Sequence, residues 1–392
     1  MFFNLLFLLF TKFFILMIDY PYIFLYIFIF ALLGVANKFR YRYIFFLACI
    51  VLVLFYSLRA PIIGADTRNY VEYFLEKQIS YNNDARGTEP LLDVYNSIVR
   101  FICKNGTFYL LINTLCCLLP VFLIIQKYSE NKILSLILLM ISSLFIIYFV
   151  ALRQMLSTSI LLCGLMWVEC TKYKKTYKWL IWGFIILLAY FMHTTALVVG
   201  FILSILMLDS IEVNKKIVYV LILVSLLVGI ILKNNAFILV FTFIFNLGIG
   251  AVDRLSDYAI FGEDDNTSFA FLTLIVPNLM SLAYVYASDK HYLNSFWSKT
   301  YLVYVMLHNI FMYFPMIERM IAFFLIGQIL VFTYPLKLRL TIKKRIIYKS
   351  ALFIFIAYFL ARSVKTSINY DRTSLDKMHP YYFFFEKYPK NY

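Results

Sequence analysis

The chain has 392 residues, of which 63% are apolar and 20% aromatic, and it carries a formal net charge of +15. Soluble domains are about half apolar, so this composition excludes a soluble protein and predicts a polytopic integral membrane protein with an all-α fold. The excess of Lys and Arg falls in short connections between apolar segments, where it reports membrane topology and implies no nucleic-acid partner.

Apolar segments of span length recur along the chain, and a helix needs about 20 apolar residues to cross a bilayer core of about 30 Å. Residues 1–19 form an apolar N-terminal segment, predicted as a span or an interfacial helix because it lacks a charged n-region and a cleavage site. Residues 20–362 are predicted as a single membrane domain. Its predicted spans are residues 20–36, 43–60, 107–125, 132–150, 153–169, 178–192, 194–208, 217–232, 268–287, 299–314, 317–335 and 346–362. With the N-terminal segment, this gives about 12 or 13 transmembrane helices.

Basic residues orient this domain. They cluster in alternate connections, with the largest run at residues 337–349, and such connections are retained in the cytoplasm. The opposite, extracytoplasmic side then holds loops at residues 61–106 and 233–267 and a tail at residues 363–392. Residues 236–252 are apolar enough for another span, but a span there would place the basic run outside. We therefore interpret them as a re-entrant or interfacial segment.

The first extracytoplasmic loop begins with a turn that contains Asp66. Gly64 suits a sharp turn, and Asp66 followed by Thr67 is typical of an Asx-turn, so Asp66 has either a structural or a catalytic role. Arg59, at the end of the preceding span, has an alternative interpretation as a residue that snorkels to the membrane surface.

A predicted amphipathic helix follows in the same loop. Apolar residues recur at helical spacing from Leu91 to Ile102, which indicates a helix on the outer membrane surface. Pro90 suits its first turn, and Glu89 just before it suits the positive end of a helix. Glu89 is therefore either a helix-start residue or a chemical group.

Arg153, Gln154 and His193 interrupt otherwise apolar segments. Arg153 and Gln154 lie near the outer boundary of their predicted span, and an ionisable group there indicates a functional site, with snorkelling as the alternative. His193 lies at the tip between two apolar segments, where it is either a hydrogen-bonded turn residue or a base or proton shuttle.

Two later arginines, Arg254 and Arg319, are predicted on the same side as Arg153. Each can pair locally with a neighbouring carboxylate, but three arginines from separate segments favour a pyrophosphate site, because the planar guanidinium binds phosphate bidentately. The sequence has no nucleotide-binding motif, no metal-binding histidine pair and no cysteine framework. We therefore expect no metal, no cofactor and no disulfide.

In their order and spacing, these residues resemble the EpsG-like branch of the Wzy-type polysaccharide polymerase family. The motifs that carry the resemblance are Arg59, Gly64-Ala65-Asp66 and Tyr70; Glu89-Pro90; Arg153-Gln154; His193-Thr194-Thr195-Ala196; Arg319; and Pro380-Tyr381-Tyr382-Phe383. The resemblance covers nearly the whole chain from about residue 20 onward, and residues 1–19 look like an extension. Thr194 and Thr195 stand where many relatives have a Ser before the Ala.

The resemblance implies a GT-C-like helical architecture and a glycosyltransferase that polymerises undecaprenyl-pyrophosphate-linked oligosaccharide repeats, which serve as donor and acceptor. It implies a site on the outer face of the bacterial inner membrane and a product that is O-antigen, capsular polysaccharide or exopolysaccharide. Membrane lipids, a chain-length regulator and a flippase are the further partners that it implies.

The resemblance also implies roles for individual residues. The pyrophosphate is expected to bind Arg153, Arg319, Arg254 and Arg59. Further substrate contacts are expected from Gln154, Tyr70 and Thr67. The acceptor proton is expected to pass to Asp66, Glu89 or His193, and Asp66 is the preferred base.

Three alternatives stay open. A GT-C transferase that uses a polyprenyl monophosphate, or a ligase of finished polymer, would satisfy the same residues. A flippase of lipid-linked glycans would need internally repeated halves and polar groups near the bilayer midplane, whereas these ionisable residues gather at one surface. A membrane O-acyltransferase is compatible with His193 and the arginines.

Overall fold

The computed structural model describes residues 20–35, 41–64, 66–75, 89–172, 174–208, 212–246, 267–312, 319, 321–368 and 381–386. Nearly all of these residues are helical, and no β-strand occurs among them, which confirms the predicted all-α class. The helices are α1 (Pro21–Val35), α2 (Tyr41–Ser57), α3 (Thr67–Phe74), α4 (Pro90–Ile102), α5 (Gly106–Tyr128), α6 (Lys132–Ile141), α7 (Ser143–Val150), α8 (Leu152–Cys170), α9 (Lys175–Met192), α10 (Ala196–Leu206), α11 (Lys215–Asn246), α12 (Thr267–Ala287), α13 (Lys290–Leu293), α14 (Phe296–Ile310), α15 (Ala322–Val331), α16 (Tyr334–Lys337) and α17 (Ile342–Ile368).

The chain divides into two compact units. The first comprises residues 1–127, 140–197 and 359–392, and the second comprises residues 128–139 and 198–358.

By length and apolar composition, two described helices can cross a membrane, at Gly106–Tyr128 and Ile342–Lys365. The pair α6 and α7 forms a third candidate that is bent by 63°. Shorter apolar helices occur at Pro21–Leu32, Tyr43–Ser57, Ala196–Leu206, Leu272–Ala287 and Ala322–Lys337. These helices support a membrane protein, while the count of 12 or 13 spans and the GT-C-like architecture stay predictions.

Several predicted boundaries are corrected. The span predicted at residues 132–150 is interrupted at Ser142, between α6 and α7. The loop predicted from residue 233 is helical at its start, because α11 runs without a break through Lys233, Asn234 and Asn235 to Asn246. Lys and Asn each cost a helix interior less than about 0.7 kcal/mol relative to alanine, so three such residues need not end a long helix. The tail predicted from residue 363 likewise begins as the last turns of α17. Residues 1–19 lie outside the described residues.

Aromatic and aliphatic packing in the first unit fixes α3 against α4 and α5. The Phe74 and Tyr109 rings stack with their centroids 4.4 Å apart, and Val99 of α4 and Leu152 of α8 belong to the same buried cluster. Arg100 Nε donates to the Phe74 carbonyl at 3.0 Å. The predicted surface helix therefore begins at Pro90 as expected, and it is anchored to the end of α3.

Close packing also fixes α8 against α9. A Cβ on Gly164 would lie 2.4 Å from the Ile185 side chain, so only glycine permits this approach. One side-chain bond joins the same helices, as Ser157 Oγ donates to the Ala189 carbonyl at 3.0 Å. This pairing sets the start of α8 beside the end of α9.

In the second unit, α11, α12 and α14 meet at a buried amide pair. Asn278 Nδ2 donates to Asn309 Oδ1 at 2.8 Å, and Asn309 Nδ2 donates to Asn278 Oδ1 at 2.9 Å and to Ser225 Oγ at 3.0 Å. A Cβ on Gly229 would lie 1.9 Å from the Asn309 carbonyl oxygen, so α11 and α14 pack backbone against backbone. Small residues and interhelical hydrogen bonds of this kind hold helices together within membranes.

Candidate active site

Helices α7 and α8 are separated by a break at Ala151, and the first turn of α8 carries Arg153. The last carbonyls of a helix have no partner within it. Here the Phe149 carbonyl accepts hydrogen bonds from Thr67 Oγ1 at 2.9 Å and from Arg59 Nη2 at 3.3 Å. Gly64 makes this approach possible, because its φ is +96° and a Cβ there would lie 2.6 Å from the Phe149 oxygen. The turn before α3 therefore caps the end of α7.

Arg59 is buried in this turn and is 1% exposed. Its Nη1 donates to the Tyr56 carbonyl, and its guanidinium lies 5.0 Å from the centroid of the Phe149 ring. The C-terminal segment covers it: Ala60 N donates to the Tyr382 carbonyl at 2.8 Å, and Phe384 N donates to the Leu58 carbonyl at 2.9 Å. The predicted pyrophosphate role of Arg59 thus has no support in this geometry, since both Nη groups bind backbone oxygens away from solvent.

Arg153, the second residue of α8, lies at the centre of the site. Its Nη1 donates to Glu89 Oε2 at 2.5 Å, and its Nε donates to the Tyr70 hydroxyl at 3.1 Å. The guanidinium also lies 5.4 Å from the centroid of the Tyr70 ring, a cation–π distance. These contacts leave Nη2 with two N–H donors for a ligand. The Arg153 side chain is 23% exposed.

Glu89 joins Arg153 to His193. It precedes α4, its side chain is 7% exposed, and His193 Nδ1 lies 2.7 Å from its Oε1. Burial raises the pKa of Glu89, but three effects outweigh burial and hold that pKa below its ordinary value of 4.5: the hydrogen bond to His193, the positive charge of His193 when it is protonated, and the charge and hydrogen bond of Arg153. Glu89 is therefore a carboxylate at neutral pH.

The ionisation of Glu89 fixes the roles of the two imidazole nitrogens. A carboxylate only accepts hydrogen bonds, so His193 Nδ1 is the protonated nitrogen and donates a hydrogen bond to Glu89 Oε1. In the neutral imidazole, Nε2 is then the basic nitrogen. His193 follows the last residue of α9 in an extended conformation, and its side chain is 20% exposed. We refer to Arg153, Glu89, His193 and Tyr70 as the charged cluster.

A small cleft lies beside the charged cluster. Its volume is about 30 Å³, which is room for one or two water molecules. Arg153, Glu89 and Tyr70 of the cluster line it together with Leu92 and with three polar residues that were not predicted as site residues: Asn69, Tyr73 and Asp93. The Tyr73 hydroxyl donates to Asp93 Oδ1. For Asn69 and Tyr73, the sequence signal is their spacing from each other and from Tyr70 on α3, because residues three and four apart share a helix face.

The other predicted site residues are distributed as follows. Asp66 stands at the start of α3, where its carbonyl accepts the Tyr70 N–H at 3.1 Å. Gln154 follows Arg153 in the first turn of α8. Arg319 belongs to the second unit, and Arg254 lies outside the described residues. Within the described part of the chain, no group of three or more His, Cys, Asp or Glu side chains could hold a metal ion.

The chain matches the model of the EpsG family over residues 42–383, which covers most of its length and all four residues of the charged cluster. It therefore belongs to the EpsG family, a Wzy-like family of polysaccharide polymerases. No curated protein and no solved structure matches it.

Proposed function

Because the chain belongs to this polymerase family, we propose that it joins undecaprenyl-pyrophosphate-linked oligosaccharide repeats into a polymer on the outer face of the bacterial inner membrane. The charged cluster is the observation that carries this proposal. It combines an anion-binding guanidinium with a carboxylate–imidazole pair, and acyl- or glycosyl-transfer chemistry needs both a base and a group that stabilises developing negative charge.

His193 is the proposed general base. Its Nε2 accepts the proton of the acceptor hydroxyl as the oxygen forms a bond to the anomeric carbon of the donor. Glu89 holds the tautomer in which Nε2 is basic and stabilises the imidazolium that forms. This assignment replaces Asp66 as the preferred base. Glu89 is itself a weak candidate, since each of its oxygens already accepts a hydrogen bond.

Arg153 is the proposed ligand of the leaving group. The bond between the anomeric carbon and the pyrophosphate oxygen breaks, and the lipid pyrophosphate departs with both electrons of that bond. Arg153 Nη2 would bind the oxygen that gains negative charge, and the positive end of α8 adds to this stabilisation. Tyr70 and Glu89 hold the guanidinium in place. The cycle closes when the imidazolium returns its proton to solvent or to the released pyrophosphate.

The remaining predicted residues have different roles in the proposal. Arg319 and Arg254 stay proposed pyrophosphate ligands from later segments of the chain, and Gln154 stays a proposed substrate contact beside Arg153. Asp66, at the start of α3, stays an alternative candidate for the base. Thr67 is fully buried and bonds the Phe149 carbonyl, so its hydroxyl supports the helix break rather than the substrate.

A reconstituted polymerisation assay tests this function. The purified chain in lipid nanodiscs receives one oligosaccharide repeat on undecaprenyl pyrophosphate, and the products are separated by length. We expect a ladder of multimers, and His193→Gln should slow its formation about 10²–10⁴-fold, as for loss of a general base. Arg68→Ala is the matched control, because Arg68 forms an exposed pair with Glu72 on α3 outside the charged cluster.

Each other product contradicts the proposal. A single addition product would identify a transferase, and transfer of finished polymer to a second lipid would identify a ligase. Movement of the lipid-linked repeat between leaflets without bond formation would identify a flippase. Equal rates for His193→Gln and Arg68→Ala would exclude His193 as the base while leaving the polymerase activity in place.

A further inference from the structure

A long apolar groove lies between α4, α5, α8 and α9 of the first unit. Its volume is about 710 Å³, within the range of about 300–1,000 Å³ that is typical of ligand pockets. None of the described residues that line it carries a charge. Leu119 and Pro120 of α5 form part of one wall, and Ile160 and Cys163 of α8 form part of another.

The groove lies close to the charged cluster. Three of its lining residues are close neighbours of cluster residues along the chain: Leu91, Leu156 and Met192. Leu91 follows Glu89 by two residues, Leu156 lies almost one helical turn after Arg153, and Met192 directly precedes His193. One end of the groove therefore lies within about one helical turn of Arg153, the proposed pyrophosphate ligand, and the groove runs along α8 toward Trp167.

The groove is open along its length. Large apolar side chains on its rim are about half exposed, among them Val94, Leu119 and Trp167 at 54%, 53% and 54%. Leu156 and Trp167 are separated by about 16 Å along α8 at 1.5 Å per residue, which is roughly half of a bilayer core of about 30 Å. Helix α5 is itself long and apolar enough to cross a membrane, so a lipid chain can enter this groove sideways from the bilayer.

Small side chains recur along the α8 wall of the groove. Ser159 and Cys163 lie about one helical turn apart on this wall. Side chains this small leave more room beside α8 than leucine or isoleucine would. A branched chain fills such a space better than a straight acyl chain, because its methyl groups occupy the added width.

We infer that this groove binds the first isoprene units of the polyprenyl chain whose pyrophosphate is held at Arg153. The inference rests on the proposed function, because it takes its ligand from the pyrophosphate site. It adds a second recognition element to that site: the charged cluster binds the head of the lipid, and α5 and α8 select an isoprenoid over the acyl chains of the surrounding bilayer.

Photocrosslinking of the full chain in nanodiscs tests the inference. The probe is a polyprenyl diphosphate that carries a diazirine on its isoprenoid chain and no sugar. We expect cross-links in peptides of α5 and α8, and we expect unlabelled polyprenyl diphosphate to compete while an equal amount of phosphatidylglycerol does not. Competition by both lipids alike would overturn the inference in favour of a general lipid site, and so would the absence of cross-links from both helices.

Groove-filling variants provide the second measurement. Cys163 is exposed on the groove wall, and Cys163→Trp should lower both cross-linking and kcat/KM for the long-chain substrate at least about tenfold, since one misplaced methylene in an apolar pocket already costs that much. A substrate whose lipid is shortened to a few carbons should lose much less. Leu119→Trp repeats the test from the opposite wall. Leu187→Trp is the matched control, because Leu187 is 45% exposed on α9 and does not line the groove.

Different results would contradict the proposed function and the proposed lipid groove. Cross-links in the groove with no polymer ladder would support the groove and contradict the proposed function. A ladder with no cross-links, or an unchanged kcat/KM in both groove-filling variants, would support the function and overturn the groove.

Discussion

Two polar clusters lie among apolar helices in this protein, and they differ in charge and exposure. The amide pair of the second unit is neutral and buried, with Asn309 fully enclosed and Asn278 6% exposed. Each of the two amides donates a hydrogen bond to the oxygen of the other. In the charged cluster of the first unit, the side chains of Arg153 and His193 are about one-fifth exposed. Arg153 binds Glu89 through Nη1 and His193 binds it through Nδ1, so Arg153 Nη2 and His193 Nε2 are not used in binding Glu89.

This difference indicates that the amide pair serves helix packing and that the charged cluster serves chemistry. A reciprocal amide pair satisfies its own donors and acceptors, so it can hold three helices together but offers little to a ligand. A buried carboxylate that joins an arginine to a histidine costs desolvation energy, and packing alone would favour apolar residues in its place. Its presence among apolar helices therefore favours a functional role.

The largest expected effect is on the charged cluster. Arg153→Ala should lower the polymerisation rate about 10²–10³-fold, as for loss of one donor that stabilises developing charge. Arg153→Lys should restore only part of the rate, because an ammonium supplies charge without the planar fork that reaches Glu89, Tyr70 and the ligand together. The measurement is the rate of ladder formation at equal amounts of folded protein, with Arg68→Ala as control. A near-normal rate in Arg153→Ala would falsify the pyrophosphate assignment.

A second prediction concerns the turn that supports the cluster. Gly64→Ala should destabilise the protein by about 1–3 kcal/mol, because alanine is strained at φ +96° and its Cβ would meet the Phe149 oxygen at 2.6 Å. The readout is thermal unfolding in detergent. Gly183→Ala is the matched control, since a Cβ at this position of α9 meets no atom within 4 Å, and it should be neutral or slightly stabilising. Equal unfolding temperatures for the two variants would show that the turn accommodates a side chain.

A third prediction concerns the amide pair. Asn309→Leu should cost about 1–2 kcal/mol, near the upper end for interhelical hydrogen bonds in membranes, because it leaves Asn278 and Ser225 without this partner. The double variant with Asn278→Leu should recover part of that loss, since both members of the pair are then apolar. Thermal unfolding gives the free energies, and polymerisation per folded molecule should stay unchanged. A loss of activity as large as that of Arg153→Ala would remove the distinction between the two clusters.

The sequence predicted the members of the charged cluster better than their arrangement. Arg153, Glu89 and His193 were identifiable because ionisable groups stand out in apolar segments. Their contacts join positions 64 and 104 residues apart, and no local pattern encodes which of them meet. The preference for Asp66 as the base came from the family resemblance, whereas in the structure a hydrogen bond with Glu89 orients His193.

The fold was predictable to a similar degree. Hydropathy gave the all-α class and most helices, because an apolar run of sufficient length indicates a helix in a membrane. It could not show that the segment around Tyr382 and Phe384 returns to cover Arg59, since this contact spans more than 300 residues of sequence. It also did not locate the break at Ser142, although Ser142 and Ser143 form a pair of the kind at which helices bend.

The smallest expected effect is a dependence of stability on pH that arises at Glu89. The pKa of this carboxyl is lowered in the folded protein, so its contribution to stability is complete above its ordinary value of 4.5 and is lost as the pH falls through the lower folded value. The difference in unfolding temperature between the protein and Glu89→Gln should therefore shrink as the pH falls below about 4.5. Glu72→Gln, which removes the carboxylate of an exposed pair, is the control and should show little difference at any pH. A difference that grows as the pH falls below 4.5 would mean that Glu89 is more stable protonated in the fold, and the proposed orientation of His193 would then lose its basis.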